Sequence, residues 1–548
     1  MKQNLFLAAF ALLLLGCGAQ EQRDSNQQVF RYNESKGIPN LDPAFARSLP
    51  VIWPAHQLFN GLVQLSDSLT VEPCIAKSWD VSANGLEYTF HLRTDVFFHR
   101  SPLFGDNQQR RVVATDFVYS FCRIVNPSVA SPGAWVFASL YTDKTGTTGG
   151  CLALNDSTLR LYLKNPFPAF LGQLSMPYAY VVPKEVVEYY GRDFGRNPIG
   201  TGPFYVKYWK EGEKLVMRRN PLYFEIDESG EALPYLEAVS ITFTADKQSE
   251  FLEFMVGNLD FLSGVHASSK DELLTRSGNL NPKYKGEVTL VTGPYLNTEY
   301  LGFLVDSLVC AAQQGQLLNP KLRKAIAYGF DRRKMMTYLR SNMGYPAESG
   351  FIPLGMPGFN PELKGFTYNP TLARQLLAEA GYPQGKGLLP ITISTTDDYV
   401  DICEFIQHQL GQIGIPIRVE VMPGATYRDM MANAKLTFFR GSWVADYADA
   451  ENYLALFASH NFSPNGPNYT HFSSKVFDSL YRSASLEARA QKRYPIYQQM
   501  DSMVIGNAVV IPLYYDKVVR FTRANVKGLK ANPMNLLSLK RVRKQKGS

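Results

Sequence analysis

The sequence is poor in the residues and spacings that make enzymes. Its seven histidines, at positions 56, 91, 99, 266, 408, 460 and 471, are scattered through 548 residues. None stands in an H-E-x-x-H pair, and neither a G-x-S-x-G nucleophile elbow nor a dinucleotide-binding glycine turn occurs. A catalytic triad can still assemble from distant residues, so these gaps weigh against a hydrolase without excluding one. His91 and His99 read as satisfied strand residues and His408 as helix surface or core filler, which leaves no metal site. Cysteine is scarce too. Beyond Cys17 the others are Cys74, Cys122, Cys151, Cys310 and Cys403, without C-x-x-C spacing. Buried thiols are the expectation for most of them, with one or two disulfides as the alternative.

Charge is thin as well. Charged residues make up 19% of the chain, and the formal net charge of +7 is small for this length. Part of it lies in Lys540 to Lys546, read as a solvated, frayed tail rather than a nucleic-acid patch. No apolar run after Leu15 is long enough to cross a bilayer, and no internal repeat or low-complexity tract lies between the termini. The glycine pair in Asn197-Pro198-Ile199-Gly200-Thr201-Gly202 is not a phosphate loop. The Gly-Lys-Ser/Thr that opens a helix is missing, and Phe204-Tyr205-Val206 runs on as a strand.

What the chain does have is apolar mass, with 45% hydrophobic and 13% aromatic residues. A single core rarely grows past ~250–300 residues, so two or three lobes are expected. The N-terminus opens with Lys2, an apolar run from Leu5 to Leu15, and Gly16-Cys17. That is the form of a secretory signal, too short for a membrane helix. Gly18 to Gln28 is polar and turn-rich, a tether.

From Val29 on, short strands and helices alternate. Residues Pro73 to Pro166 read as β-rich, with strict alternation around the turn dipeptide Asn84-Gly85. From about Tyr295 to Pro512 the pattern is α/β. Asn319-Pro320 and Asn369-Pro370 each open a helix with a cap residue and a first-turn proline. Strand Ile391-Thr392-Ile393, a helix from Ile402 to Leu410, and strand Ile417 to Val421 make a βαβ unit. A strand-like run then leads into Phe439-Arg440-Gly441-Ser442-Trp443-Val444-Ala445-Asp446-Tyr447, followed by apolar residues at helical spacing. Strand, turn and helix is where α/β proteins place ligand contacts. Asp446 between two aromatics is costly unless it meets a cation, such as a ligand ammonium, and Arg440 is placed for an anionic group. The alternative is that Asp446 caps the following helix.

Trp443-Val444-Ala445-Asp446-Tyr447, with Asp449 close behind, resembles the W-x-A-D-Y-x-D/E-P signature of the peptide-binding proteins of ABC importers, the oligopeptide- and dipeptide-binding class. Ala450 stands where that family usually has proline. The resemblance extends over nearly the whole mature chain: Leu41-Asp42-Pro43; Leu58-Phe59-Asn60-Gly61-Leu62; Asn197-Pro198 through Phe204; Arg219-Asn220-Pro221; and Ala373 through Gly381-Tyr382. It implies an α/β, three-lobed, periplasmic-binding-protein-like fold with mixed sheets and a ligand cleft between two hinged lobes. Lobe I would comprise 29–60, 197–295 and 513–548, lobe II 61–196, and lobe III 296–512. Hinges would lie near Tyr205 to Val206 or Tyr295, and Leu513.

The resemblance also implies the site. Asp446 would take the α-ammonium of a short peptide and Arg440 a ligand carboxylate. Trp443 would form a wall, Trp135 would either wall the ligand or pack in its own lobe, Val444 would lie beside the ligand, Leu49 would run extended along the ligand backbone, and Tyr514 or Tyr515 would close the cleft. Leu14-Leu15-Gly16-Cys17 resembles a bacterial lipoprotein signal over residues 1–17, with Cys17 lipidated and 18–28 as tether. The expectation is a monomer on the periplasmic side of a bacterial membrane, without enzymatic activity or cofactor, serving a permease and its ATPase and binding no nucleic acid. The same fold also serves nickel complexes, haem, sugars and opine-like compounds. Two rival functions are an extracytoplasmic peptidase and a receptor that works without an importer.

Overall fold

A computed structural model describes residues 28–142, 149–264 and 267–545. Cys17 with its signal, residues 18–27 of the tether, His266 and residues 546–548 lie outside them.

Two long strands organise the molecule. The first, Val288–Phe303, is here called the hinge strand, and the second, Val510–Arg523, the return strand. They run antiparallel along nearly their whole length, inside one eleven-stranded mixed sheet. At one end this sheet continues through Phe261–Ser263, Val29–Asn33, Ala238–Thr242, Lys214–Arg219 and Phe204–Lys210. At the other end it continues through Phe438–Val444, Ile391–Thr395 and Ile417–Val421. The ladder between the long strands is broken by register shifts between Pro294 and Thr298 and between Glu299 and Tyr300. Among the described residues these two strands and their break join the two halves of the sheet, so Tyr295 and Leu513 lie at the crossing. Tyr205 and Val206 lie in the outermost strand instead.

Each half has its own core. Phe30, Leu58, Phe204, Met217 and Ile241 pack together at one end, and Leu301, Ile326, Ile393, Ile406 and Phe438 at the other. A separate four-stranded antiparallel sheet carries the β-rich insertion, residues 76 to 162. Its strand Glu87–Leu92 alternates as its sequence does, with Tyr88, Phe90 and Leu92 buried, and Gly85 supplies the positive φ of 68° for the turn before it.

Asn319 and Asn369 each cap a helix with proline at its start, Pro320–Tyr328 and Pro370–Glu379. Ile391–Thr395 and Ile417–Val421 pair in parallel, joined by the helix Val400–Gly411. The Gly200-Thr201-Gly202 turn is structural. Gly202 N–H donates to Leu58 O at 2.9 Å, and a Cβ on Gly200 would come within 2.1 Å of the same carbonyl oxygen. His99 holds this turn from the other side. One ring nitrogen lies 3.0 Å from Gly202 O, and burial lowers its pKa to about 4, which keeps the ring neutral.

Two sequence expectations are corrected. Leu49 does not run extended: it begins the helix Leu49–Leu58 and packs against the first core. Ser48 in the cap position with Pro50 in the first turn starts that helix early. The basic tail is not frayed. Leu537, Leu539 and Val542 are fully buried, and Lys540 pairs with Glu225 at 2.6 Å and Lys544 with Asp260 at 2.8 Å. Apolar residues interleaved with the charges dock the segment. No disulfide joins the described cysteines, and Cys74, Cys151, Cys310 and Cys403 are buried thiols.

Candidate ligand-binding site

The site forms where the strand Phe438–Val444, here the motif strand, runs out beside the crossing. Its side chains alternate between the two faces of the sheet. Phe439, Gly441 and Trp443 share one face with Tyr300 and Thr298, their neighbours across the ladder, and meet a core. A Cβ on Gly441 would come within 2.3 Å of the Tyr300 ring. Trp443 packs against this core and donates its indole N–H to Asn452 Oδ1 at 3.1 Å. Arg440, Ser442 and Val444 take the opposite face, with Asn297 and Glu299. Ser442 and Val444 are exposed there, so at this end the face is open to solvent.

One edge of the motif strand is covered by the hinge strand from Asn297 to Phe303. On the other edge, pairing among the described residues is confined to Ser394 opposite Phe439. Arg440 O accepts the Tyr427 hydroxyl, so the main chain of residue 440 faces that second edge. Alternation then turns the main-chain groups of Ser442 and Val444 the same way, onto an edge an extended ligand can pair with.

Asp446 follows two residues later. The strand is continued by Ala445, whose N–H donates to Leu296 O at 2.8 Å. Asn452 then grips Asp446 twice: its Oδ1 accepts Asp446 N–H at 3.2 Å, and its Nδ2 donates to Asp446 Oδ2 at 3.2 Å. Asp446 is open to solvent, yet protein rings it closely enough that desolvation raises its carboxyl pKa, with the Asn452 amide opposing. The capping alternative falls to Asp449. Its Oδ1 accepts Glu451 N–H at 2.9 Å and its Oδ2 takes Arg493 Nη2 at 3.0 Å.

The β-rich insertion supplies the facing wall. Trp135, 40% exposed, lies with its ring 6.3 Å from that of Tyr447. Tyr178 sits between Asp446 and Arg47. Burial pushes its hydroxyl pKa up to about 12, Asp446 adds to the rise, and Arg47 opposes it.

Arg440 is brought to the cleft wall but is already engaged. It is 7% exposed, its Nη1 donates to Glu299 Oε2 at 3.0 Å, and its guanidinium lies 3.4 Å from the Tyr399 ring centroid. Burial works to lower its pKa, and Glu299, Tyr399 and Tyr427 together outweigh that, so it is raised. Tyr515 does not close the cleft. It pairs with Thr298 on the core face, is 3% exposed, and its hydroxyl donates to Gly350 O at 2.7 Å. The residues on either side of it, Tyr514 and Asp516, have Glu299 and Asn297 for neighbours.

Sequence reasoning missed Asn452, Asn297, Glu299, Tyr178 and Asp516. Period-two alternation along the motif and return strands holds part of the signal. Which face opens on a cleft is decided by strands more than a hundred residues away.

Two bodies joined by paired crossing strands, with a polar cleft at the junction, define a binding protein of the periplasmic type. The chain belongs to the bacterial extracellular solute-binding proteins, family 5, whose middle region matches residues 70–465. It is similar to the dipeptide-binding protein DppE of Bacillus subtilis, with 25% identity over 96% of each chain. It is equally similar to haem-binding protein A of Haemophilus influenzae, with 25% identity over 97% of each. Among solved structures it resembles the unliganded open form of the periplasmic murein tripeptide-binding protein MppA, with 25% identity and a TM-score of 0.79 over 94% of this chain and 97% of that one. Among the described residues no helix is long and apolar enough to cross a membrane.

Proposed function

We propose that this family 5 solute-binding protein captures short peptides for an ABC importer, holding the peptide amine on Asp446 and delivering the closed complex to the permease and its ATPase. The observation that carries the reading is the carboxylate of Asp446. It is fixed by Asn452, forms no ion pair among the described residues, and is set two residues beyond an open strand edge. A desolvated carboxylate favours a cationic partner, and an open edge favours an extended backbone. Ser442 and Val444 would pair with the ligand main chain, and Trp135 and Trp443 would supply apolar walls. Arg440, held by Glu299, would shape the far end rather than take a free carboxylate.

On this reading residues 29–60, 197–295 and 513–548 form one lobe, 61–196 a second and 296–512 a third, closing by a hinge motion. A lipid on Cys17 would keep the protein, as a monomer, on the outer side of the membrane that holds the permease. Native mass spectrometry of the anchor-free protein tests the proposal. Mixed peptides should copurify with the wild type and be absent from Asp446→Ala. A single non-peptide adduct indifferent to residue 446 would replace the peptide by another solute.

A further inference from the structure

The cleft wall holds a second carboxylate without a cation. Asp516 leaves the return strand at the crossing and is half-buried. Its partners are neutral: Lys517 N–H donates to Oδ1 at 2.8 Å, and Asn297 Nδ2 donates to Oδ2 at 3.2 Å. The cations around it are occupied. Lys517 Nζ turns to Asn342 O at 3.4 Å and lies 4.4 Å from the Tyr345 ring centroid. Arg340 makes two hydrogen bonds to Asp401, at 2.6 and 3.0 Å. Arg440 pairs with Glu299. The charge of Arg47 acts on Tyr178, as that of Asp446 does. Among the described residues none of these forms an ion pair with Asp516. Burial raises its pKa, the two N–H donors lower it, Glu299 raises it and distant Arg340 lowers it.

The group is also held in place. Asn297 is 4% exposed; its Nδ2 is shared between Asp516 and Glu299, at 3.1 Å to the latter, and its Oδ1 accepts the Ser442 hydroxyl at 3.2 Å. That fixes Asp516 on the face where Ser442 and Val444 meet solvent. A half-buried carboxylate with only neutral donors is unfavourable unless a cation arrives. Among the described residues neither Asp446 nor Asp516 has an ion pair, and Asn297, which holds Asp516, is the ladder partner of Val444, two residues before Asp446.

We infer that Asp516 is a specificity residue that receives a second cationic group of the ligand, the ammonium or guanidinium of a lysine or arginine side chain. This rests on the reading that Asp446 takes the peptide amine. Two fixed carboxylates ask for a ligand with two separated positive charges, and a long side chain supplies the reach that an apolar one lacks.

The test uses the full chain in detergent, offered an equimolar pool of synthetic tripeptides in which lysine, arginine and norleucine alternate at each position. Peptides retained by wild type, Asp516→Asn, Asp516→Glu and Asp446→Asn are read by native mass spectrometry. The wild type should retain lysine and arginine peptides at least tenfold over norleucine isosteres. Asp516→Asn, which keeps the shape and the acceptor for Lys517 N–H but gives up the one for Asn297 Nδ2, should retain all three alike. Asp516→Glu should regain part of the preference, which a purely structural role would not produce. Equal retention by the wild type, or a preference that survives Asp516→Asn, overturns the inference. Asp446→Asn should retain little of any peptide. If it retains wild-type amounts the amine reading falls alone, because the Asp516 preference is scored separately; if no protein retains any peptide, both fall.

Discussion

Asp446 and Asp449 lie three residues apart in one loop, and their surroundings differ in every respect that matters to a charge. Asp449 is buried, paired with Arg493 and fitted to the start of the helix Glu451–Leu454. Asp446 is open, oriented by a neutral amide and left without a cation. One carboxylate is consumed in holding the loop; the other is held by it. A free charge in a cleft gains meaning only beside a satisfied one of the same type, because the contrast shows that the loop had the means to neutralise it.

That contrast can be broken by mutation. Asp449→Ala leaves Arg493 buried without its carboxylate and should lower stability by about 3–5 kcal/mol, read as a lower unfolding midpoint in thermal or denaturant melts. A third aspartate, Asp501, shows what full burial does without any cation. It is 2% exposed, accepts Phe351 N–H at 2.7 Å, and has its pKa pushed up to about 7 by desolvation, against the two backbone donors. Its unfolded value is about 4. The folded state therefore binds the proton more tightly, so this stabilisation is complete below pH ~4 and is lost as pH rises to about 7, a change on the order of 4 kcal/mol at most. Denaturant melts across that range should show the slope, and Asp501→Asn should remove it.

Asp446→Ala should do the opposite of Asp449→Ala. Peptide affinity should fall by about 2–5 kcal/mol because a ligand ammonium is left unpaired, measured by calorimetric titration, with the melting of the ligand-free protein unchanged. The smallest effect belongs to Tyr515→Phe, which removes the bond to Gly350 O. A loss of about 0.5–1.5 kcal/mol in stability with no change in ligand affinity is expected; weakened binding would put Tyr515 back in the cleft.

Much of the fold was legible because it is written locally. The Asn-Pro helix starts, the Asn84-Gly85 hairpin and the βαβ unit each depend on a few adjacent residues. The strand, turn and helix around Asp446 were legible as structure for the same reason. What was not legible depends on distant partners. Glu299, which occupies Arg440, is 141 positions away. Alternation could say that Tyr514 and Tyr515 face opposite ways, but only distant partners say that both are buried, Tyr514 in the core with Leu301 and Ile393 and Tyr515 against Phe359 and Gly350. The tail misled because a run of basic residues is usually solvated, whereas Leu537 and Leu539 before the charges and Val542 among them are buried, and Lys540 and Lys544 pair with Glu225 and Asp260.

The crossing has a consequence for handling the molecule. Everything from the middle of the hinge strand to the middle of the return strand, some two hundred residues, is tied to the rest by two chain segments that run side by side. Neighbouring strands lie ~4.8 Å apart, so this portion begins and ends at nearly one point, the arrangement that lets a domain be inserted into a host loop or excised from one. If the proposed closure occurs, this portion would swing against the rest as one piece about that narrow waist, and a pair of dyes placed outside the ligand site, one on each part, would turn solute capture into an optical signal.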